Sequence, residues 1–373
     1  MRDTYLPYGH QLIDDFDIQA VVEALKSDKI TTGERVEQFE KKVASYCGAK
    51  YAVAVSSGTA ALHCAYYAAG ISKGDEVITT PITFFATVSA IVMCGGTPVL
   101  ADVRSDTINI DSYEIARRIR RKTKAIVPVD FASHPVSLDM IMDVARENNL
   151  VVIEDACHAL GAEYRGRKIG SISDMTVFSF HPVKAICTGE GGVILTDNEE
   201  YYEKMLKFRN HNIEYGTKPW QYGIWDVGYN YRLSDIHCAL GISQMDKLDS
   251  FIARRREIAK TYNEAFADVE EIITPIELDY VKSAYHLYVI QLRSMDREKF
   301  MESLASQNIG AQIHYIPIHY HPYMRMNSGY KIGDLPNSER YYSRCVSLPI
   351  FPKMTDGDVE YVIDTVKKII GVK

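Results

Sequence analysis

The chain has 373 residues, is 46% hydrophobic and carries a formal net charge of −7. Such a length can bury a large core and form two lobes. The negative balance excludes a nucleic-acid binder, which presents a basic face, and the densest basic run, Arg117, Arg118, Arg120, Arg121 and Lys122, reads as the solvated end of a helix.

In chain order, Met1 to Pro7 lack the apolar core of a signal peptide. Residues 15–27 and 34–47 predict helices, the first with Phe16, Ala20, Val21, Ala24 and Leu25 on one face. Candidate strands follow at Ala52–Val55, Glu76–Thr80, Val99–Val103, Ala125–Val129, Val151–Asp155, Thr176–Phe180 and Gly192–Thr196. Helix-like stretches at 59–69, 84–94, 111–121 and 137–148 separate the first five. This alternation predicts an α/β fold with a mainly parallel, seven-stranded sheet between helices. No helix fits between 163 and 175, so Thr176–Phe180 enters by a different connection, and the last strand is free to run antiparallel. The apolar stretch 84–101 contains Gly95, Gly96 and Pro98, so it reads as helix, turn and strand, and no membrane span is expected.

Residues 211–231 are aromatic and glycine-rich, with Tyr215, Trp220, Tyr222, Trp225, Tyr229 and Tyr231, and read as an ordered loop. Past residue 230 the pattern changes to one long helix from Ser234 to about Phe266, a strand His286–Leu292, and helices near 296–307 and 355–370. We expect a large α/β domain over 1–230 and a smaller α+β domain over 231–373. Seven cysteines without a CxxC spacing fit reduced thiols and a cytoplasmic location.

The chemistry centres on Asp155 and Lys184, each at the end of a strongly apolar strand. Ligands of open α/β sheets collect at the carboxyl ends of such strands. Pyridoxal 5'-phosphate (PLP) chemistry needs this pair: a lysine to hold the aldehyde as an imine and a carboxylate to keep the ring nitrogen protonated. Each residue also has a plainer reading. A strand-end aspartate often caps a helix, and a lysine often snorkels to solvent. Gly58, at a strand-to-helix turn, leaves free amides suited to a phosphate, although an N-cap by Ser57 explains the turn as well. Ser179 adds a hydroxyl, and Phe84 a ring able to stack on a flat cofactor. His158 reads equally as a core histidine. His314, His319 and His321 crowd together but lack a carboxylate or cysteine at ligand spacing, so no metal is expected. No GxGxxG follows a strand, which disfavours a nicotinamide cofactor.

The stretches Ser57-Gly-Thr-Ala-Ala-Leu62, Pro81-Ile-Thr-Phe-Phe-Ala-Thr87, Glu154-Asp-Ala-Cys-His-Ala-Leu-Gly161, Phe178-Ser-Phe-His-Pro-Val-Lys184, Gly189-Glu-Gly-Gly192, Gly228-Tyr-Asn-Tyr-Arg-Leu-Ser234 and His314-Tyr-Ile-Pro317 occur in this order. In them the chain resembles the DegT/StrS family of sugar aminotransferases, which have the type I fold of PLP enzymes. The resemblance implies that Lys184 carries the cofactor, Asp155 pairs with the ring nitrogen and His158 lies near the ring's 3-oxygen. It implies that Phe84 stacks on one ring face with Cys157 beneath the other, where alanine is frequent. It also implies that Gly58, Thr59 and Ser179 hold the phosphate, joined by Asn230 from the partner subunit of a homodimer. His314 and Tyr315 would lie near the sugar. The substrates implied are L-glutamate and a nucleotide-linked 4-keto-6-deoxy sugar, whose diphosphate calls for basic side chains at the entrance. Phe178–Lys184, Thr188–Gly192 and His158 look most like the branch serving pseudaminic acid biosynthesis. Sugar dehydratases of the fold carry histidine at the lysine position, so Lys184 argues against them. An inactive PLP-dependent regulator is disfavoured by the complete set Asp155, Ser179, Lys184 and Asn230.

Overall fold

The computed structural model describes residues 3–218 and 220–371. Its centre is a seven-stranded sheet: β1 (Tyr51–Val55), β2 (Glu76–Thr79), β3 (Thr97–Leu100), β4 (Thr123–Val127), β5 (Val151–Asp155), β6 (Met175–Ser179) and β7 (Gly192–Thr196). Their spatial order is β1-β7-β6-β5-β4-β2-β3. Only β7 runs against its neighbours, pairing antiparallel with both β1 and β6. The strands are apolar because helices cover both faces. Val53, Ile78, Ile126, Ile153, Val177 and Ile194 are wholly buried, each contributing about 1.5–3 kcal/mol relative to exposure. Because the other six strands point one way, the residues following Val55, Thr79, Val127, Asp155 and Ser179 gather at a single rim.

The covering helices include α1 (Asp15–Leu25), α2 (Glu34–Cys47), α3 (Gly58–Ala68), α4 (Ala86–Met93), α5 (Ser112–Arg118), α6 (Leu138–Glu147) and α7 (Glu199–Phe208). In α1 the face expected to be apolar packs only in part: Ala24 is fully buried and Ala20 and Val21 are partly buried. Phe16 and Leu25 are exposed, whereas Asp17 is fully buried. Asp17 forms a capping box with Asp14 and accepts from Ser243, Gln244 and Lys247, so polar contacts fix this helix. Residues 211–231 are more ordered than a loop, since Ile213–Tyr215 and Tyr222–Ile224 pair as a hairpin.

The expected long helix after Ser234 is two helices, α8 (Asp235–Met245) and α9 (Leu248–Phe266). The break falls at Lys247, whose ammonium lies 2.8 Å from Asp14 and 2.5 Å from Asp17 at the start of α1. Side chains from Leu233 to Ile252 join the core of the large sheet. From Ile258 on, Tyr262, Phe266, Tyr288, Ile290, Phe300 and Val362 build a second core. Leu6 belongs to that second core and bridges to Ile309. None of the helices among the described residues is long and apolar enough to cross a membrane.

Candidate active site

A cavity of about 610 Å³ opens at the rim of the large sheet. Asp155, the last residue of β5, is buried at its floor. Its Oδ2 accepts the Thr87 hydroxyl at 2.7 Å, and its Oδ1 accepts the Cys157 amide at 3.2 Å. Two donors hold the carboxylate in one orientation, and each oxygen keeps a second lone pair for a further donor.

Lys184 also lines the cavity. It sits in a tight turn after β6, its amide donating to the His181 carbonyl at 2.9 Å. Among the described residues its ammonium makes no salt bridge or hydrogen bond. Burial holds its pKa below the ordinary lysine value, opposed by the charges of Cys157 and Asp155. A lysine with a larger neutral fraction is a better nucleophile.

The β1–α3 turn forms one wall. Ser57 caps α3 and accepts the Ala60 amide at 3.1 Å, so the N-cap expectation holds. The Gly58 and Thr59 amides have no acceptor among the described residues and border the cavity. A Cβ at Gly58 would come within 3.0 Å of the Ser179 Cβ and 3.2 Å of its hydroxyl. A Cβ at Gly192 would strike the Ser57 carbonyl at 2.5 Å. Both glycines therefore keep β6 and β7 close under the helix start, leaving free amides beside a hydroxyl as an anion cradle. Phe84 also borders the cavity, an apolar ring 63% exposed whose aromatic neighbour is Tyr315, with centroids 6.2 Å apart.

His158, His314 and Tyr315 close the far side. The Ala132 amide donates to His158 Nδ1 at 3.3 Å. The neutral ring therefore carries its proton on Nε2 and donates it to the Tyr315 oxygen at 3.0 Å. Burial, then the Lys184 and His314 charges, push the His158 pKa well below 6.5. Burial takes His314 down to about 3, and its Nδ1 lies 2.8 Å from the Ser347 hydroxyl. Burial also pushes the Cys157 thiol up, which keeps it a neutral, small floor residue.

Ten of the eleven residues singled out from sequence thus border one cavity. Asn230 does not: it is exposed and pairs through its backbone with Asn210. Sequence reasoning missed Tyr8, Thr87 and His286. Thr87 ends one of the quoted stretches, and His286 opens a predicted strand, a polar residue against an apolar run. Among the described lining residues of this chain Lys184 is the single lysine or arginine, and His181 and His321 also border the cavity. His319 lies elsewhere, paired with Glu339 at 2.9 Å. Among the described residues no three His, Cys, Asp or Glu side chains gather as metal ligands.

A carboxylate, an unpaired lysine, an anion cradle and an exposed ring at the rim of a type I sheet fit pyridoxal phosphate and define a PLP-dependent transferase. The model of the DegT/DnrJ/EryC1/StrS aminotransferase family matches residues 11–367. The chain belongs to that family, and it is a sugar aminotransferase with PLP as cofactor. It is 42% identical over 381 residues to the spore coat polysaccharide biosynthesis protein SpsC of Bacillus subtilis, covering 99% of this chain and 98% of that protein. It is 40% identical over 371 residues to the UDP-4-amino-4,6-dideoxy-N-acetyl-β-L-altrosamine transaminase of Campylobacter jejuni, covering 98% and 97%. The solved structure of Helicobacter pylori PseC, an aminotransferase involved in the biosynthesis of pseudoaminic acid, superposes with a TM-score of 0.94 at 32% identity, covering 99% of this chain and all of that one.

Proposed function

We propose that this enzyme takes an amino group from L-glutamate and delivers it to C4 of a UDP-linked 2-acetamido-2,6-dideoxy-4-ketohexose of L-arabino configuration. The product is UDP-4-amino-4,6-dideoxy-N-acetyl-β-L-altrosamine, on the route to pseudaminic acid. The observation that carries the reaction class is the convergence of Lys184 and Asp155 on one cavity. The likeness to the Campylobacter transaminase and to PseC supports the sugar.

Bound PLP supplies an electron sink for the carbon that loses a proton. Lys184 would hold the cofactor and, when its amine is free, would take up and return the proton at the substrate carbon within each half-reaction, which its lowered pKa favours. Asp155 keeps the ring nitrogen protonated, and Thr87 and the Cys157 amide aim it. The Gly58 and Thr59 amides with Ser179 take the phosphate. Phe84 and Cys157 would hold the two faces of the cofactor ring, and His158 would stand by its 3-oxygen and act through Tyr315. Because His158 donates to the tyrosine oxygen, the hydroxyl proton is left to face a sugar oxygen. His314 lies beside it. We further infer a cytoplasmic homodimer in which Asn230 reaches the partner's phosphate.

Incubation with glutamate and the L-arabino and D-xylo 4-keto epimers, with products identified by NMR, tests the substrate. Amination of the D-xylo epimer alone rejects the sugar and keeps the class. No amination of any nucleotide sugar by PLP-loaded protein rejects the class.

A further inference from the structure

The reverse face of the sheet beneath Asp155 holds two fully buried carboxyl groups, Asp130 and Glu154. Glu154 precedes Asp155 on β5, so its side chain points to the opposite side of the sheet. Its Oε2 accepts the Ser173 hydroxyl at 2.9 Å and the Thr176 hydroxyl at 3.0 Å. Asp130 follows β4, and its Oδ1 accepts the Val136 amide at 2.9 Å. The remaining oxygen of each, Asp130 Oδ2 and Glu154 Oε1, is buried with no donor. The two carboxyl groups lie close enough to interact directly, and two carboxyl groups can be hydrogen-bonded to each other only when one of them carries a proton.

Two buried carboxylates cannot both ionise without leaving both free oxygens unsatisfied and two like charges out of water. One proton resolves both problems at once, giving each orphan oxygen a partner and leaving a single charge. Burial first, then the Glu154 charge, raise the Asp130 pKa well above the carboxylate range. The ionisable groups nearest the pair are Asp155, through the sheet, and Cys47 on α2. The nearby cation, Lys168 beside Cys47, is instead 3.7 Å from Glu163 and donates to the Tyr46 hydroxyl at 3.1 Å.

The backbone that carries Asp155 is bonded directly to the segment that carries Asp130. The Asp130 amide donates to the Asp155 carbonyl at 3.1 Å, and the Asp155 amide donates to the Pro128 carbonyl at 2.9 Å. We propose that Asp130 and Glu154 share one proton and form a positioning pair, clamping the ends of β4 and β5 so that Asp155 stays aimed into the cavity. The positioning half rests on the role proposed for Asp155; the shared proton does not.

Two measurements address the proton without using activity. Infrared spectra of the holoprotein at neutral pH are expected to show a protonated-carboxyl C=O band that is lost in both Asp130→Asn and Glu154→Gln. Absence from the wild type, or persistence in either variant, overturns the shared proton. A group that must gain a proton on folding makes stability fall as pH rises toward its folded pKa. From pH 5 to pH 8 the thermal midpoint of the wild type should therefore fall relative to Asp130→Asn, whose amide needs no proton. Parallel curves overturn the idea. For positioning, Asp130→Ala should lower kcat at least tenfold with glutamate KM within threefold, while Asp130→Asn, which retains the hydrogen bond, stays within threefold in kcat. Glu154→Ala makes the same comparison should Asp130→Ala not fold. An alanine variant with undiminished kcat overturns the clamp, whatever the spectra show.

Discussion

Thr87 and Asp155 are joined by a 2.7 Å hydrogen bond in which the threonine hydroxyl is the donor. Thr83 lies 2.7 Å from the same hydroxyl and must therefore donate to it. A hydrogen bond to a charged group is worth about 1.5–3 kcal/mol. Thr87→Val keeps the shape and removes the donor. It should lower kcat by about tenfold or more and speed loss of PLP on dialysis, whereas Thr87→Ser should stay near wild type. Equal activity in the two variants would mean the bond does not aim Asp155.

Lys184 is the lysine of the cavity wall. Purified enzyme should absorb in the visible and bleach with borohydride, and the fixed cofactor should map by peptide mass to Lys184. Lys184→Ala should abolish steady turnover, because one amine both anchors the cofactor and moves the proton. A label on another lysine removes the assignment.

Asn230 is exposed and away from the cavity of its own chain. A role at a partner's phosphate makes cofactor affinity a property of the assembly. Sedimentation should give a dimer for both wild type and Asn230→Ala, with the variant binding PLP at least tenfold more weakly by fluorescence titration. Unchanged affinity in the dimeric variant excludes the shared site.

His314 is buried and neutral, its pKa held at about 3. In the unfolded chain it titrates near 6.5. Its contribution to stability is thus complete above about 6.5 and is lost as pH falls toward 3, at up to about 1.4 kcal/mol per pH unit. His314→Gln should flatten the acid limb of a stability–pH curve measured by urea unfolding. Slopes that match in wild type and variant would show that His314 is protonated in the folded state.

Much of this was legible because the parallel strands are buried on both faces and read as unbroken apolar runs. The strand ends then announced Asp155 and Lys184. What was hidden depends on distant partners. The one glycine between Ser234 and Phe266, Gly241, lies inside α8 and does not mark the break, since the turn at Lys247 answers to Asp14 and Asp17 on another helix. The same ion pairs bury Asp17 beside Ala24 and leave Phe16 and Leu25 of α1 exposed. The Ile213–Ile224 hairpin was masked by glycine and aromatic content that suits loops and strands alike. Tyr8 comes from a segment with no local sign of the site, His286 shows only as a polar residue opening an apolar strand, and Asp130 looks like any polar residue after a strand.

The N-terminal segment carries Tyr8 into the cavity wall, while Leu6 is packed into the core built from Ile258 onward. The opening residues of the chain therefore have no place to settle until the closing third has been synthesised. Lys184 leaves the ribosome well before Tyr315, with an interval on the order of ten seconds at ordinary translation rates. During that time the large sheet can form with its rim uncovered and Phe84 facing water. Capture of the cofactor in a finished pocket thus waits until the segment of Tyr8 has met that of Tyr315.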